Sequence, residues 1–210
     1  MRLTAQIDTS EPFALVGLSL GGIMSVEMAK RLNPVCTIII SSVPVSAHLP
    51  GYYRMAGQLG LGKWIPASLL KAATSVKHSL MLRPASNRKL MMDIIRTGDD
   101  HFIRWALNAV LQWENAEIPQ PLFHLHGTRD EVFPIGLTKP THILRKAGHM
   151  FLLYQADTVN RILSEILLPL ASPPLLPPNS SPNSLAGQSF PAQSPSPHSP
   201  ASPPAEPLPA

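Results

Sequence analysis

The stretch Phe13-Ala-Leu-Val-Gly-Leu-Ser-Leu-Gly-Gly22 contains the strongest signal for how this chain folds. A run of apolar and small residues leads into Gly17-Leu-Ser-Leu-Gly21, which fits the pattern G-x-S-x-G, and a helix-like segment (residues 22–31) follows at once. The pattern alone recurs by chance, but between a strand and a helix it predicts a sharp turn with the serine at its tip. Glycines two residues to either side of the serine let the backbone pass close by. We therefore expect Ser19 to project above a sheet, with the amide N–H of Leu20 pointing into the same space.

Two later segments place an acidic residue and a histidine at strand ends. Residues 121–126 are typical of a buried strand, and Asp130 lies on the loop that follows it. Residues 141–146 resemble a short strand, and His149 comes just after its end. Because a serine hydroxyl stays protonated near neutral pH, it needs a base, and the base needs a carboxylate to orient it. All three groups are predicted at the carboxyl ends of parallel strands, where open α/β sheets place their chemistry.

Other acidic residues and histidines compete for these positions. Glu131 directly follows Asp130, and Asp99 and Asp100 lie in the middle of the chain. An acidic residue after a strand is usually a turn former or a helix cap, but the distance from the strand end favours Asp130. Four other histidines are interpreted as structural: His101, His124, His126 and His142. Two of these, at 124 and 126, alternate along one strand face, but without nearby carboxylates or cysteines they make a weak metal site. The sequence predicts no metal and no cofactor.

Three sequence blocks resemble the α/β-hydrolase family. The blocks LVGLSLGG, FHLHGTRDEVFP and KAGHMFLL are similar to its nucleophile elbow, acid loop and histidine loop, and the likeness runs from about residue 10 to 168. The resemblance implies that Ser19 is the nucleophile, that His149 is the general base and acid, and that Asp130 orients His149. The Leu20 amide would bind the oxyanion. The resemblance implies a serine hydrolase that cleaves an ester, thioester or related acyl bond of a small molecule, and the apolar residues at about 45–117 favour an apolar acyl or alkyl group. A non-catalytic truncated relative, acting as an interaction module or an inactive fragment, is the alternative.

The expected fold is a partial α/β-hydrolase sheet of about four parallel strands. Residues 35–40 form a continuous apolar run, as in buried parallel strands, and the long insertion at about 45–117 is predicted to be a helical cap. Apolar residues recur along one side of a last helix: Val159, Ile162, Leu163, Ile166 and Leu167. The family normally has several strands before the elbow, with a loop that supplies a second oxyanion donor, and here the elbow strand begins a dozen residues in. We therefore expect the elbow strand, with Ala14, Leu15 and Val16 near solvent, to be an open edge and a possible self-association surface.

Composition separates a globular part, residues 1–170, from a tail, residues 171–210. The tail has 13 prolines, 9 serines and a single formally charged side chain, and it is predicted to be disordered. The net charge of +4 is spread out without an aromatic stacking pattern, which argues against nucleic-acid binding. The single cysteine, Cys36, is typical of a reducing, cytoplasmic compartment, and no apolar run of membrane-spanning length is present.

Overall fold

The computed structural model describes residues 3–63 and 96–171. Between these ranges it also describes the isolated positions 66, 68, 71 and 89 and the short run 92–94. The tail predicted at residues 171–210 lies outside the described residues, apart from Ala171, which ends the last helix. Much of the predicted cap, including Trp64, also lies outside them.

Four parallel strands form the sheet of the described residues. They are β1 (Ala14–Leu18), β2 (Cys36–Ile40), β3 (Leu122–Gly127) and β4 (His142–Leu144), in the spatial order β1-β2-β3-β4. Every neighbouring pair is parallel. The prediction of about four parallel strands is confirmed. Because all the strands run the same way, the loops at their carboxyl ends lie along one edge of the sheet.

Four α-helices have both ends in the described residues: α1 (Leu20–Leu32), α2 (Gly51–Gln58), α3 (Asp100–Leu111) and α4 (Ala156–Ala171). Helix α1 is capped by Asn33, which takes the left-handed conformation with φ of 50°, and Pro34 follows. Helix α3 begins after Asp99, whose carboxylate accepts a hydrogen bond of 2.7 Å from the Phe102 amide. No helix among the described residues is long and apolar enough to cross a membrane.

Both faces of the sheet are covered, and all five residues of β2 are buried. One core cluster combines β2 with β3, β4 and the buried stripe of α4 at Val159, Ile162 and Ile166. Leu163 and Leu167 pack at its margin, so the one-sided stripe predicted for the last helix is confirmed. A second cluster joins α1 to the segments that follow β2 and β3: Ile23, Val43, Leu49 and Phe133.

Strand β1 departs from the expectation in its burial. Its only neighbour among the described strands is β2, as an edge strand requires. Val16 is 49% exposed, but Leu15 is only 6% exposed. Successive side chains of a strand point to opposite faces. Strand β1 can therefore have an unpaired backbone edge and one exposed face while its other face is buried. The expectation that Leu15 lies near solvent is therefore wrong.

The segment before β1 and two aromatic residues of the predicted cap have well-defined places in the described structure. The described part of the segment before β1 holds a single 3-10 turn at Thr4–Gln6. Trp113 packs against the cluster around Phe133. Trp105 is 51% exposed and lies against Phe102, with ring centroids 5.7 Å apart. Its ring therefore covers the surface of α3.

Candidate active site

Ser19 lies in a strained turn between β1 and α1. Its φ of 53° and ψ of −119° lie in a region that L-residues rarely adopt. The Ser19 amide donates to the Ile40 carbonyl at 2.9 Å. Its own carbonyl accepts from the Ser42 hydroxyl at 2.7 Å and from the Gly22 amide at 2.9 Å. Bonds to β2, to the segment after β2 and to α1 thus hold the strained conformation in place.

The glycines around Ser19 do not all have the role expected from the sequence. A Cβ atom at Gly17 would collide with the Gly21 carbonyl and lie 2.5 Å from the Ser25 hydroxyl. A Cβ atom at Gly22 would lie 2.5 Å from the Ser42 side chain. A Cβ atom at Gly21 would meet nothing within 4 Å. The close approach expected at Gly21 occurs at Gly22 instead, because Gly22 faces the neighbouring segment.

The structure brings the three predicted side chains together. Asp130 is the acceptor when ionised, so His149 donates from Nδ1 to its two oxygens, at 3.1 Å for Oδ1 and 3.0 Å for Oδ2. This leaves Nε2 without a proton, and it accepts from the Ser19 hydroxyl at 2.9 Å. The three groups come from the ends of β1, β3 and β4. They form one continuous line of hydrogen bonds.

The carboxylate of Asp130 is buried and held by backbone amides. Its Oδ1 accepts from the amides of Val132 and Phe133, each at 2.9 Å. Burial by itself would raise the pKa of Asp130. The hydrogen bond and the attraction from His149, together with the Phe133 amide and His126, outweigh burial and keep that pKa below its ordinary value. The group is therefore a carboxylate at neutral pH and attracts positive charge on His149.

Backbone hydrogen bonds join the acid loop to the histidine loop. Thr128 donates its amide to the Leu144 carbonyl at 3.0 Å, and Arg129 donates to the Ala147 carbonyl at 2.8 Å. Gly148 donates to the Tyr154 hydroxyl at 2.7 Å. The two loops therefore form one unit, which fixes the separation of Asp130 and His149. Sequence reasoning did not pair these groups, because a backbone hydrogen bond between two separate segments leaves no mark in the residue pattern of either one.

The competing acidic residues have other contacts. The carboxylate of Glu131 lies 3.5 Å from the backbone amide of His149. Asp99 caps α3, and Asp100 pairs with Lys71 at 2.6 Å. Among the acidic residues that the sequence put forward, Asp130 is the one that contacts the His149 ring.

The other histidines divide into exposed and buried ones. His101 is exposed on α3, and His142 contacts the Thr141 hydroxyl at 2.9 Å. His124 and His126 are buried on β3, and His126 Nε2 lies 3.5 Å from Asp130 Oδ2. The expectation that this pair has no carboxylate nearby is therefore wrong. Within the described ranges, no group of three or more histidine, cysteine, aspartate or glutamate side chains is arranged to hold a metal ion.

Leu20, the residue after Ser19, combines a polar feature with an apolar one. Leu20 is the first residue of α1, so its amide N–H has no acceptor within the helix and lies at the positive end of the helix dipole. An apolar groove of about 530 Å³ begins at Leu20 and extends along α1 past Met24 to Trp105 and Trp113. Sequence reasoning missed this groove, because α1 and α3 are far apart along the chain.

Comparison with solved structures identifies the architecture. An esterase from Thermogutta terrifontis superposes with a TM-score of 0.61 at 15% identity, over 81% of this chain and 70% of the esterase. MenH from S. aureus gives a TM-score of 0.62 at 18% identity, over 80% of this chain and 73% of MenH. The chain has the α/β-hydrolase fold. A monoacylglycerol lipase from Paleococcus ferrophilus shares this α/β-hydrolase fold, with a TM-score of 0.52 at 17% identity over 80% of this chain and 72% of the lipase. No protein-family model matches the sequence, and no curated protein matches it.

Proposed function

We propose that this chain is a serine hydrolase that cleaves an ester, thioester or related acyl bond. The observation that carries the proposal is the unbroken line of hydrogen bonds from the Ser19 hydroxyl through His149 to Asp130. Esterases and lipases among the structural neighbours support the same class of enzyme. In this proposal Ser19 is the nucleophile, His149 is the general base and acid, and Asp130 orients His149.

The reaction follows from the direction of these hydrogen bonds. As Ser19 Oγ bonds to the substrate carbonyl carbon, its proton passes to His149 Nε2 and the carbonyl electron pair moves onto oxygen. The Leu20 amide stabilises that oxyanion, and Asp130 stabilises the positive charge on the imidazole. Collapse of the intermediate expels the alcohol or thiol, which takes the proton from Nε2. Water then attacks the acyl-enzyme by the same steps and releases the acid.

The groove beside Leu20 supports an apolar acyl group as the substrate portion. Its lining is mostly apolar, with Met24, Met28, Trp105 and Trp113 among the lining residues beside the charged Glu27 and Arg31, and Leu20 at one end directly follows the nucleophile in sequence. Burial of each methylene contributes about 0.8 kcal/mol, so longer acyl chains should raise kcat/KM. A series of p-nitrophenyl esters from acetate to octanoate measures this preference. A rate that falls steadily with chain length would contradict it.

Labelling with a fluorophosphonate probe tests the nucleophile. The probe should react with Ser19, and Ser19→Ala should abolish labelling. Ser10→Ala is the matched control, since Ser10 is an exposed serine that hydrogen-bonds to Asp8, and it should label as the wild type does. Labelling that survives Ser19→Ala would point to another serine. A folded chain that does not label at all would favour the alternative of a non-catalytic module.

Two neighbouring acidic residues provide a paired test of the orienting group. Asp130→Asn puts a neutral amide against His149 Nδ1 and favours the wrong imidazole tautomer, so kcat should fall by about 10⁴-fold. Ser19→Ala and His149→Ala should each cost about 10⁶-fold, because the two side chains act as a unit. Glu131→Gln should leave kcat close to that of the wild type. If Glu131→Gln proved the more damaging of the two acid-to-amide changes, Asp130 would not be the orienting group.

A further inference from the structure

Behind Asp130 lies a pair of hydrogen-bonded imidazoles that the proposed reaction does not use. His124 is 1% exposed and His126 is fully buried. The two rings are nearly perpendicular, with centroids 4.9 Å apart, and His124 Nε2 lies 2.9 Å from His126 Nδ1. On its other side, His126 Nε2 lies 2.7 Å from the Phe133 carbonyl oxygen.

The acceptor at the end of this chain determines where each proton lies. A carbonyl oxygen only accepts, so His126 must donate to Phe133 from Nε2–H. The neutral ring then has a bare Nδ1, which accepts a hydrogen bond from His124 Nε2–H. This leaves His124 with a bare, buried Nδ1, and the Ser42 backbone lies near the ring without a well-formed hydrogen bond to this nitrogen. The pair thus adopts one tautomer at each ring.

The same hydrogen bonds hold the loop that forms the Asp130 site. Phe133 is fixed from both sides, since its amide donates to Asp130 Oδ1 at 2.9 Å while its carbonyl accepts from His126. His126 Nε2 also faces Asp130 Oδ2 at 3.5 Å, which is an electrostatic contact rather than a short hydrogen bond. Removal of the His126 donor would free the Phe133 carbonyl and, with it, the amide that holds Asp130.

We propose that His126, kept in its Nε2–H tautomer by His124, is a positioning residue that acts on the reaction through Asp130. It holds the residue 130–133 loop so that both carboxylate oxygens reach His149 Nδ1. This role rests on the proposed hydrolase function, because His126 itself contacts none of the reacting atoms.

The pair must be neutral for this role. Burial is the main cause that lowers the pKa of His126, although the Phe133 carbonyl and Asp130 oppose it. The ionisable groups around the pair are Asp130, His149 and His48. A proton on His126 Nδ1 would face the N–H of His124, and the added positive charge would compete with His149 for the carboxylate. When His124 and His126 are both neutral, neither ring competes with His149 for the Asp130 carboxylate.

Two amide substitutions at His126 separate positioning from packing. In His126→Gln the amide nitrogen can reach the position of Nε2 and still donate to Phe133, whereas in His126→Asn the amide lies at the position of Nδ1 and cannot. We expect His126→Asn to lower kcat by about 10- to 100-fold with little change in KM, as a misplaced catalytic group does. His126→Gln should recover most of that loss. His101→Gln, at an exposed site, is the matched control.

The pH profile and the tautomer provide independent readouts. In His126→Asn the acidic limb of kcat/KM, where the general base takes up its proton, should move to lower pH, because Asp130 supports that proton less well. Imidazole ¹⁵N NMR of the wild type should show His126 protonated at Nε2 only. Equal kcat values and pH profiles for the Asn and Gln variants would overturn the proposal, and so would a proton on Nδ1. Failure of the hydrolase proposal would be seen separately, as turnover unaffected by Ser19→Ala.

Discussion

Ser19 and its neighbours illustrate how a strained residue depends on its surroundings. The positive φ of Ser19 costs about 1–3 kcal/mol, and the hydrogen bonds to Ile40, Ser42 and Gly22 offset it. The turn can form only where the following helix passes close to Gly17. The strain therefore lies in the turn at Ser19, and hydrogen bonds from three other parts of the chain hold that turn in place.

The glycines of the turn should differ in their tolerance of alanine. Gly17→Ala puts a methyl group against the Gly21 carbonyl and should destabilise the fold by about 1–3 kcal/mol or more, as overpacking does. Gly21→Ala has open space, and replacing glycine in a helix should instead stabilise the fold by up to about 1 kcal/mol. Urea unfolding of the two variants measures the difference. Equal destabilisation by both would show that Gly21 is also tightly packed.

Helix α1 is joined to the segment before β3 by a network of polar side chains. Glu27 accepts from the Trp113 indole at 2.9 Å and from Lys30 at 2.8 Å. Lys30 also donates to the Asn115 side chain at 2.9 Å. The network connects α1, which directly follows Ser19, to the segment that leads through β3 to Asp130. It is therefore part of how the candidate site is assembled.

Asn115 should contribute most to this junction, because it is buried and fully hydrogen-bonded. Its amide group donates to the carbonyls of Pro44 at 2.9 Å and Glu117 at 2.7 Å. Asn115→Ala leaves both carbonyls without these donors and should lower the free energy of unfolding by about 2 kcal/mol or more. Asn160→Ala, at an exposed position of α4, should change it by no more than about 0.5 kcal/mol. Chemical denaturation of both variants tests this, and equal effects would contradict it.

The stability of the whole domain should depend on pH through its buried histidines. Burial, with a smaller effect of His126, lowers the pKa of His124 from 6.5 to about 3. Below pH 6.5 the unfolded chain therefore binds a proton at His124 that the folded chain does not bind. The contribution of His124 to stability is present above pH 6.5 and is lost as the pH falls toward 3. For this one group the loss between pH 7 and pH 5 is about 2 kcal/mol.

Unfolding measured at both pH values, in the wild type and in His124→Gln, tests this contribution. The variant should lose less stability on acidification, whatever its stability at pH 7. His101→Gln, which changes an exposed histidine, should behave as the wild type. A wild-type and a His124→Gln protein with the same pH dependence would show that His124 becomes protonated in the folded state.

The open edge of β1 should govern the association of the molecule. One edge of β1 has no partner strand among the described residues, and with the half-exposed Val16 at its centre this edge is a template for another strand. We expect the chain to self-associate, and Val16→Lys to shift it toward the monomer in size-exclusion chromatography. Ile118→Lys, which changes an apolar residue that is 40% exposed and away from the edge, is the control. A wild-type monomer, or an equal effect of both variants, would contradict the prediction.

The sequence by itself determined the order of strands and turns and the three residues that meet. Alternating and continuous apolar runs identify strands and helices because each buried face repeats with the period of its backbone. The elbow pattern and the two strand ends then named Ser19, Asp130 and His149, because parallel strands put their carboxyl ends on one edge.

Only the tertiary structure decided which atoms face one another across that edge. In the structure, the close approach to a neighbouring segment lies at Gly22 rather than at Gly21, Leu15 is buried, and His126 lies behind Asp130. These features depend on contacts between segments that are distant in sequence, such as Gly22 with Ser42 and the loops at residues 127–130 and 144–147. A local sequence pattern determines the direction in which a side chain points from its own backbone. The neighbour that it meets is set by how the whole chain packs.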